Sequence, residues 1–212
     1  MKKIRYKDLV KELIAAGIGL DRDSITNKEK GTPFLGVYHC HEWDHGYETW
    51  YGYNGSRREF YADMREMTEF IIENFSANCI YDVIIAPFYR YNQFDNRYYN
   101  SLDMPGADIF KEIRRFLLDN KVGKGSRAGV SIPVKGNIWL IEMILEGAFR
   151  GVSELCLFST EQKLLIAPTH HFELVFWTQE FNKERDIIKS ILPKYPNLVY
   201  YDMNRADYAT KQ

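Results

Sequence analysis

Cysteine is scarce in this sequence, and the few cysteines do not form the framework of a disulfide-bonded protein. The 212-residue chain has three, Cys40, Cys79 and Cys156. Their odd number and wide spacing exclude a set of paired cysteines, and each lies in or beside an apolar segment that we interpret as a strand. We therefore expect buried free thiols and a cytoplasmic protein, because chains without disulfides are typical of reducing compartments.

An excess of charge of one sign is also absent, and so is a long hydrophobic run. Lys and Arg total 28 against 29 Asp and Glu, which gives a formal net charge of -1. A near-neutral chain argues against binding to the phosphates of a long nucleic acid. No segment reaches the roughly 18 apolar residues of a transmembrane helix, and the basic N-terminal segment lacks the apolar region of a secretion signal. We expect neither a nucleic-acid partner nor a membrane.

The motifs of several enzyme classes are missing as well. The sequence has no G-x-S-x-G nucleophile turn and no G-x-G-x-x-G after a predicted strand. The segment VGKGSRAG at 122–129 is glycine-rich and basic, but its residues do not follow the order of a phosphate-binding loop, and we interpret it as a flexible loop. We therefore predict a non-enzymatic protein without a cofactor, and only a histidine-rich segment keeps an enzymatic alternative open.

Hydrophobic periodicity predicts one α+β domain over residues 1–212, with about four or five helices and a mainly antiparallel sheet. Helical spacing of apolar residues recurs in five segments: 6–16, 57–75, 106–119, 137–151 and 180–192. Strands are predicted at 32–40, 79–89, 154–159, 164–168, 172–178 and 198–202. Because three strands follow one another after Gly151, we predict an antiparallel meander within 153–178 rather than a parallel sheet. The polar tail 204–212 is predicted to fray.

The histidines form two groups, which makes a metal site the alternative to a binding protein. His39, His41 and His45 lie in the segment HCHEWDH, and His170 and His171 are adjacent near the predicted meander. Neutral imidazole and carboxylate groups are good ligands for zinc. If the strand ending near His171 pairs beside the strand at 32–40, a zinc site with four ligands is geometrically possible.

The first histidine group also contains the H-E-x-x-H motif of zinc-dependent hydrolases, formed by His41, Glu42 and His45. In those enzymes the motif lies on a helix, where both imidazoles share one face and the glutamate acts as a base. Here Gly46 follows at once and no helical period surrounds the motif, so we interpret 38–48 as non-helical. Two interpretations stay open: a zinc-dependent hydrolase, and a polar surface of histidines without a metal.

Aromatic residues are concentrated in two polar segments, at 41–55 and 88–100. Tyr and Trp provide large contact areas at a low cost in side-chain entropy and are enriched in protein interfaces. The alternative is that these rings pack down on the core. We predict that seven of them form a partly exposed patch that binds another protein: Trp50, Tyr51, Tyr53, Tyr91, Phe94, Tyr98 and Tyr99.

The segment ELCLFSTEQKLLIAPTHHFELVFWTQEF at 154–181 resembles the cytoplasmic immunity proteins that neutralise bacterial polymorphic or contact-dependent toxins. A strand, a charged turn, two further strands and a helix stand there in a small α+β chain, and the tyrosine-rich segments add to the likeness. The resemblance covers the last third of the chain. It implies a non-enzymatic protein that binds one cognate toxin and blocks it, and it assigns a role to no single residue.

Overall fold

The computed structural model describes residues 2–21, 24–26, 34–40, 57–76, 82–87, 107–123, 128–133, 137–151, 153 and 155–203. Five helices lie in these ranges: α1 Tyr6–Ala15, α2 Arg57–Ser76, α3 Ala107–Asp119, α4 Ile138–Phe149 and α5 Phe181–Ile191, the last followed by a 3-10 turn at Leu192–Lys194. The strands are β1 Lys2–Arg5, β2 Gly19–Asp21, β3 Ser24–Thr26, β4 Phe34–His39, β5 Asp82–Pro87, β6 Ala128–Pro133, β7 Leu155–Ser159, β8 Leu164–Thr169, β9 Glu173–Thr178 and β10 Leu198–Met203.

Eight of these strands form one sheet in which every neighbouring pair is antiparallel. Their order is β1-β6-β5-β7-β8-β9-β4-β10, and β2 pairs with β3 in a separate small sheet. The strands β7, β8 and β9 form a meander through two short turns, at 160–163 and 170–172. The structure therefore confirms the predicted α+β domain and its antiparallel sheet.

The two faces of the large sheet carry different covers. The helices α2 to α5 pack on one face and form the main core with apolar sheet residues such as Leu35, Leu157 and Phe176. On the opposite face α1 contributes Leu9 and Leu13 to a smaller core. The helix α4 lies at the centre of the helical layer, where it contacts α2, α3, β7 and β8. This position agrees with its apolar sequence, because a helix that is apolar on most of its surface is normally central.

The structure contains strands that the sequence analysis does not predict, namely β1, β2, β3 and β6. The segment 122–129, which we interpreted as a flexible loop, reaches into β6 at Ala128. This strand pairs with β1 on one side and β5 on the other. Pairing with distant segments, rather than local propensity, makes such short segments strands, so a sequence pattern alone misses them.

The cysteines only partly follow the expectation of buried thiols. Cys156 is buried on β7, but Cys40 is exposed just after the end of β4, so the expectation was wrong for Cys40. The chain leaves the sheet at that point, and a residue beyond the last strand pair need not pack on the core. Cys79 and the tail 204–212 lie outside the described residues.

Candidate functional site

Most of the residues singled out in the sequence lie outside the part of the chain that the structure describes. This holds for the H-E-x-x-H match formed by His41, Glu42 and His45, and for all seven residues of the predicted aromatic patch: Trp50, Tyr51, Tyr53, Tyr91, Phe94, Tyr98 and Tyr99. Their roles stay predictions. The described side chains instead present a histidine cluster at the end of β4 and a groove in the helical layer.

His39 is the last residue of β4, and its fully buried side chain points into the helical layer. The ring atom Nε2 lies 3.2 Å from Oε2 of Glu66 and 3.5 Å from Oδ1 of Asp63, both on α2. Asn197 donates a hydrogen bond of 3.1 Å to the same Glu66 oxygen, and Phe172 packs edge-on against the imidazole. These contacts tie the end of the strand to α2, which is a structural role for a histidine of the predicted metal cluster.

The strand pairing on which the four-ligand zinc site depended is not formed, because β9 lies between β4 and β8, the strand that ends near His171. The N–H group of His39 donates a hydrogen bond of 3.2 Å to the carbonyl oxygen of Phe172. His170 and His171, however, are exposed on the turn between β8 and β9, with ring centroids 4.0 Å apart. The described residues contain no group of three or more His, Cys, Asp or Glu that could hold a metal. Zinc binding stays a prediction that elemental analysis tests, with His41→Ala as the control.

A groove of about 330 Å³ crosses the helical layer, and three helices build it. The central helix α4 forms its floor with Trp139, Glu142 and Met143, while Met64 of α2 and Ile109 of α3 line its walls. The helix α4 is the natural floor because it packs against both of the other helices. The groove therefore rests on packed secondary structure.

A buried ion pair borders this groove. The side chain of Arg150, which follows α4, lies with Nη2 2.7 Å from Oε1 of Glu146. The same nitrogen donates a hydrogen bond of 3.0 Å to the Tyr61 hydroxyl, which in turn donates one of 2.8 Å to Glu146. Asp108 lies 3.7 Å from Nη1, and the guanidinium carbon lies 5.5 Å from the centre of the Phe60 ring. The charge of Glu146 is thus balanced inside the protein.

Two other carboxylates of the groove have no direct partner among the described residues, although the Arg65 guanidinium also lines the groove. Glu112 and Glu142 line it, and neither has an ion pair or a hydrogen bond within the described part of the chain. Glu142 lies one turn from Glu146, and like charges at this spacing destabilise a helix by about 0.2–0.5 kcal/mol. In the same lining Trp139 is 42% exposed, and its ring makes a T-shaped contact with Phe116, with centroids 5.9 Å apart. The groove thus combines an apolar floor, an accessible indole and unpaired negative charge.

The sequence of the α4 segment contains a signal for this site, but the largely apolar composition of the segment obscures it. We interpreted 137–151 as a central helix, and eight of its residues from Leu140 to Phe149 are indeed buried. Trp139, Glu142 and Glu146, however, follow the i, i+3, i+7 spacing of one helix face. A tryptophan on the same stripe as two glutamates indicates a face that is partly open to solvent.

None of the described helices is long and apolar enough to cross a membrane. No known protein family, curated protein or solved structure matches this chain.

Proposed function

We propose that this protein is a non-enzymatic binding protein whose helical groove holds part of another protein. The observation that carries this proposal is the exposed Trp139 beside two carboxylates, Glu112 and Glu142, that have no partner in the described part of the chain. Tryptophan is enriched among the residues that dominate binding energies, so a binding role accounts for its position.

The way the groove is built supports tight binding by a pre-formed surface. Its floor helix is buried on its other sides and packs against two helices and two strands. A rigid surface loses little conformational entropy on association, and this raises affinity. We propose a partner of the kind that the resemblance implies, a toxin that an immunity protein blocks in a bacterial cytoplasm. The predicted aromatic patch would then extend the binding surface.

The experiment locates the binding surface by photo-crosslinking in the native cell. A benzoylphenylalanine residue replaces Arg65, an exposed residue of the groove lining, in one variant and Ile14 in a control variant, since Ile14 is 54% exposed on α1, across the sheet from the groove. We expect one protein to be crosslinked from position 65 and not from position 14. That protein is then purified and titrated against the wild-type chain and Trp139→Ala by calorimetry. A 1:1 complex that the substitution weakens at least about tenfold supports the proposal.

Two results count against the proposal in different ways. A purified partner that binds the wild type and Trp139→Ala equally well overturns the groove as the binding surface. The absence of any stoichiometric complex, together with turnover by the isolated protein, overturns the binding function itself. For a toxin partner, expression of the toxin alone should arrest growth, and co-expression of the wild-type chain should restore it.

A further inference from the structure

We propose that the partner enters the groove with an arginine side chain, whose guanidinium group lies between Glu112 and Glu142 and stacks on Trp139. This inference rests on the proposed function and adds the chemistry by which the partner is recognised. It commits to a basic segment of a protein as the occupant of the groove.

The charge of the groove selects a cation. Its lining contains Glu112, Glu142 and Glu146 against the single basic residue Arg65. Because Arg150 already balances Glu146 at 2.7 Å, the remaining lining has two carboxylates and one guanidinium. An incoming cation gains from both free carboxylates, whereas an acidic side chain is repelled by them.

The uncharged part of the groove selects arginine over lysine. Met64, Ile109 and Met143 offer apolar surface to the methylene groups of a long side chain, and Trp139 offers an aromatic face. A guanidinium group stacks on an indole, is weakly hydrated, and donates hydrogen bonds in a planar fork that can reach two carboxylates. An ammonium group is compact and strongly hydrated, so it loses more on entering such a groove. The volume of about 330 Å³ is at the lower end of ligand pockets, which suits one side chain.

The protein itself contains a precedent for this arrangement next to the groove. The Arg150 guanidinium contacts the carboxylate of Glu146, the hydroxyl of Tyr61 and the ring of Phe60 at 2.7, 3.0 and 5.5 Å. The combination of a carboxylate and a ring around a guanidinium group is therefore already stable in this helical layer. Glu112, Glu142 and Trp139 supply the same combination at the open groove, but without the arginine.

The test measures binding of three matched peptides, Gly-Gly-X-Gly-Gly with X as arginine, lysine or citrulline. Citrulline has the shape of arginine without its charge. The readout is the indole N–H resonance of Trp139 in the full chain, assigned through Trp139→Phe. We expect the arginine peptide to shift this resonance in a saturable way, the lysine peptide to bind at least about threefold more weakly, and the citrulline peptide to leave it unmoved.

Isosteric variants of the protein test the two carboxylates. Glu112→Gln and Glu142→Gln should each weaken binding of the arginine peptide about tenfold, as expected for the loss of a charge-assisted hydrogen bond. Glu12→Gln is the control, because Glu12 is exposed on α1, across the sheet, and should change nothing. Equal binding of arginine and lysine peptides, a shift by citrulline, or no shift by arginine at millimolar concentration each overturns this inference.

The partner obtained by crosslinking separates the two proposals. If its binding depends on Trp139 but not on Glu112 or Glu142, the arginine inference fails while the proposed function holds. If no purified partner binds at the groove, the proposed function fails. If binding falls in both glutamine variants and after replacement of one arginine of the partner by alanine, both proposals are supported.

Discussion

Arg150 and Glu184 are charged side chains buried in the helical layer, and their surroundings are opposite. Arg150 is held by Glu146, by the Tyr61 hydroxyl and by Asp108. Glu184, in the first turn of α5, is fully buried, and neither of its carboxylate oxygens has a hydrogen-bond partner in the structure as described. Burial of a charge therefore has two different consequences in this molecule. The buried charge of Arg150 is paired and forms the border of the groove, whereas the buried, unpaired carboxylate of Glu184 lowers the stability of the fold.

The pKa of Glu184 shows how strongly its burial destabilises the charged form of the side chain. Burial is the main cause that raises the pKa of this carboxyl group to about 6. The ammonium group of Lys183 lowers the pKa, and the carboxylate of Glu180 raises it. At neutral pH the protein therefore ionises Glu184 against its environment, whereas the charge of Arg150 is compensated by the carboxylate of Glu146.

The largest expected change in stability comes from breaking the ion pair between Arg150 and Glu146. Arg150→Met should lower the free energy of unfolding by about 3 kcal/mol, because it leaves Glu146 partly buried without its counter-charge. The side chain of Glu146 is only 14% exposed, so water replaces the lost partner poorly. Urea unfolding of the variant and the wild type at pH 7 measures the difference.

The double variant Arg150→Met/Glu146→Leu is the control for this prediction. Replacement of both partners by apolar groups removes the unpaired charge, so most of the lost stability should return. If the double variant is as unstable as Arg150→Met, packing of the arginine stem rather than pairing of the charges holds the border of the groove. The charges of Arg150 and Glu184 would then differ less in their effect on stability than their contacts indicate.

The next effect, of opposite sign, comes from removing the uncompensated charge. The pKa of Glu184 rises from the ordinary 4.5 to about 6, so the folded state binds its proton more tightly than the unfolded state. The free energy of unfolding that tighter proton binding by Glu184 adds is fully present below pH 4.5 and is lost as the pH rises through about 6. A shift of this size corresponds to about 2 kcal/mol at pH 7 and above. Glu184→Gln should therefore gain about 2 kcal/mol over the wild type between pH 4 and pH 8.

The contribution of Glu184 is isolated by comparing the free energy of unfolding of Glu184→Gln with that of the wild type at each pH. The pH dependence of the wild type alone does not isolate it. Other carboxyl groups have the opposite linkage: the pKa of Glu73 is lowered by hydrogen bonds from Lys194 and Tyr195, and that of Glu180 by Lys183. Their contributions cancel when the two unfolding curves are subtracted. A difference curve that is flat from pH 4 to pH 8 would show that Glu184 is solvated or paired in solution.

The helices and the meander are predictable from the sequence because their patterns are local. In α3 the apolar residues Ile109, Ile113 and Phe116 recur at helical spacing, and all three are buried. The strands β1 and β6 exist through pairing with each other and with β5. A local window contains no information about such partners, so both were missed.

The site was harder to predict than the fold because it is built from distant residues. The contact between His39 and Glu66 joins positions 27 residues apart, and the groove needs three helices that the strands β5 and β6 separate along the chain. The prediction for His39 rested on the residue type and on the clustering of histidines in the sequence, and neither distinguishes a metal ligand from a histidine held by carboxylates. The exposure of Trp139 likewise depends on which face of α4 the neighbouring helices leave open.

The smallest predicted effect concerns the partial compensation that Glu184 does have. Lys183 lies at the surface, with its side chain 60% exposed and its ammonium group 2.6 Å from Glu180. Its charge lowers the pKa of Glu184, so Lys183→Met should raise that pKa further by a fraction of a unit. The free energy of unfolding should therefore begin to differ between Lys183→Met and Lys183→Met/Glu184→Gln at a slightly higher pH than it does between the wild type and Glu184→Gln.

Salt distinguishes the contribution of Lys183 from that of burial. Because an exposed charge is screened by salt, 1 M NaCl should abolish this shift in pH, while the increase in the pKa of Glu184 that burial causes should persist. If salt instead removes most of the Glu184 effect, its raised pKa comes from surface charges and not from burial, and the contrast with Arg150 disappears.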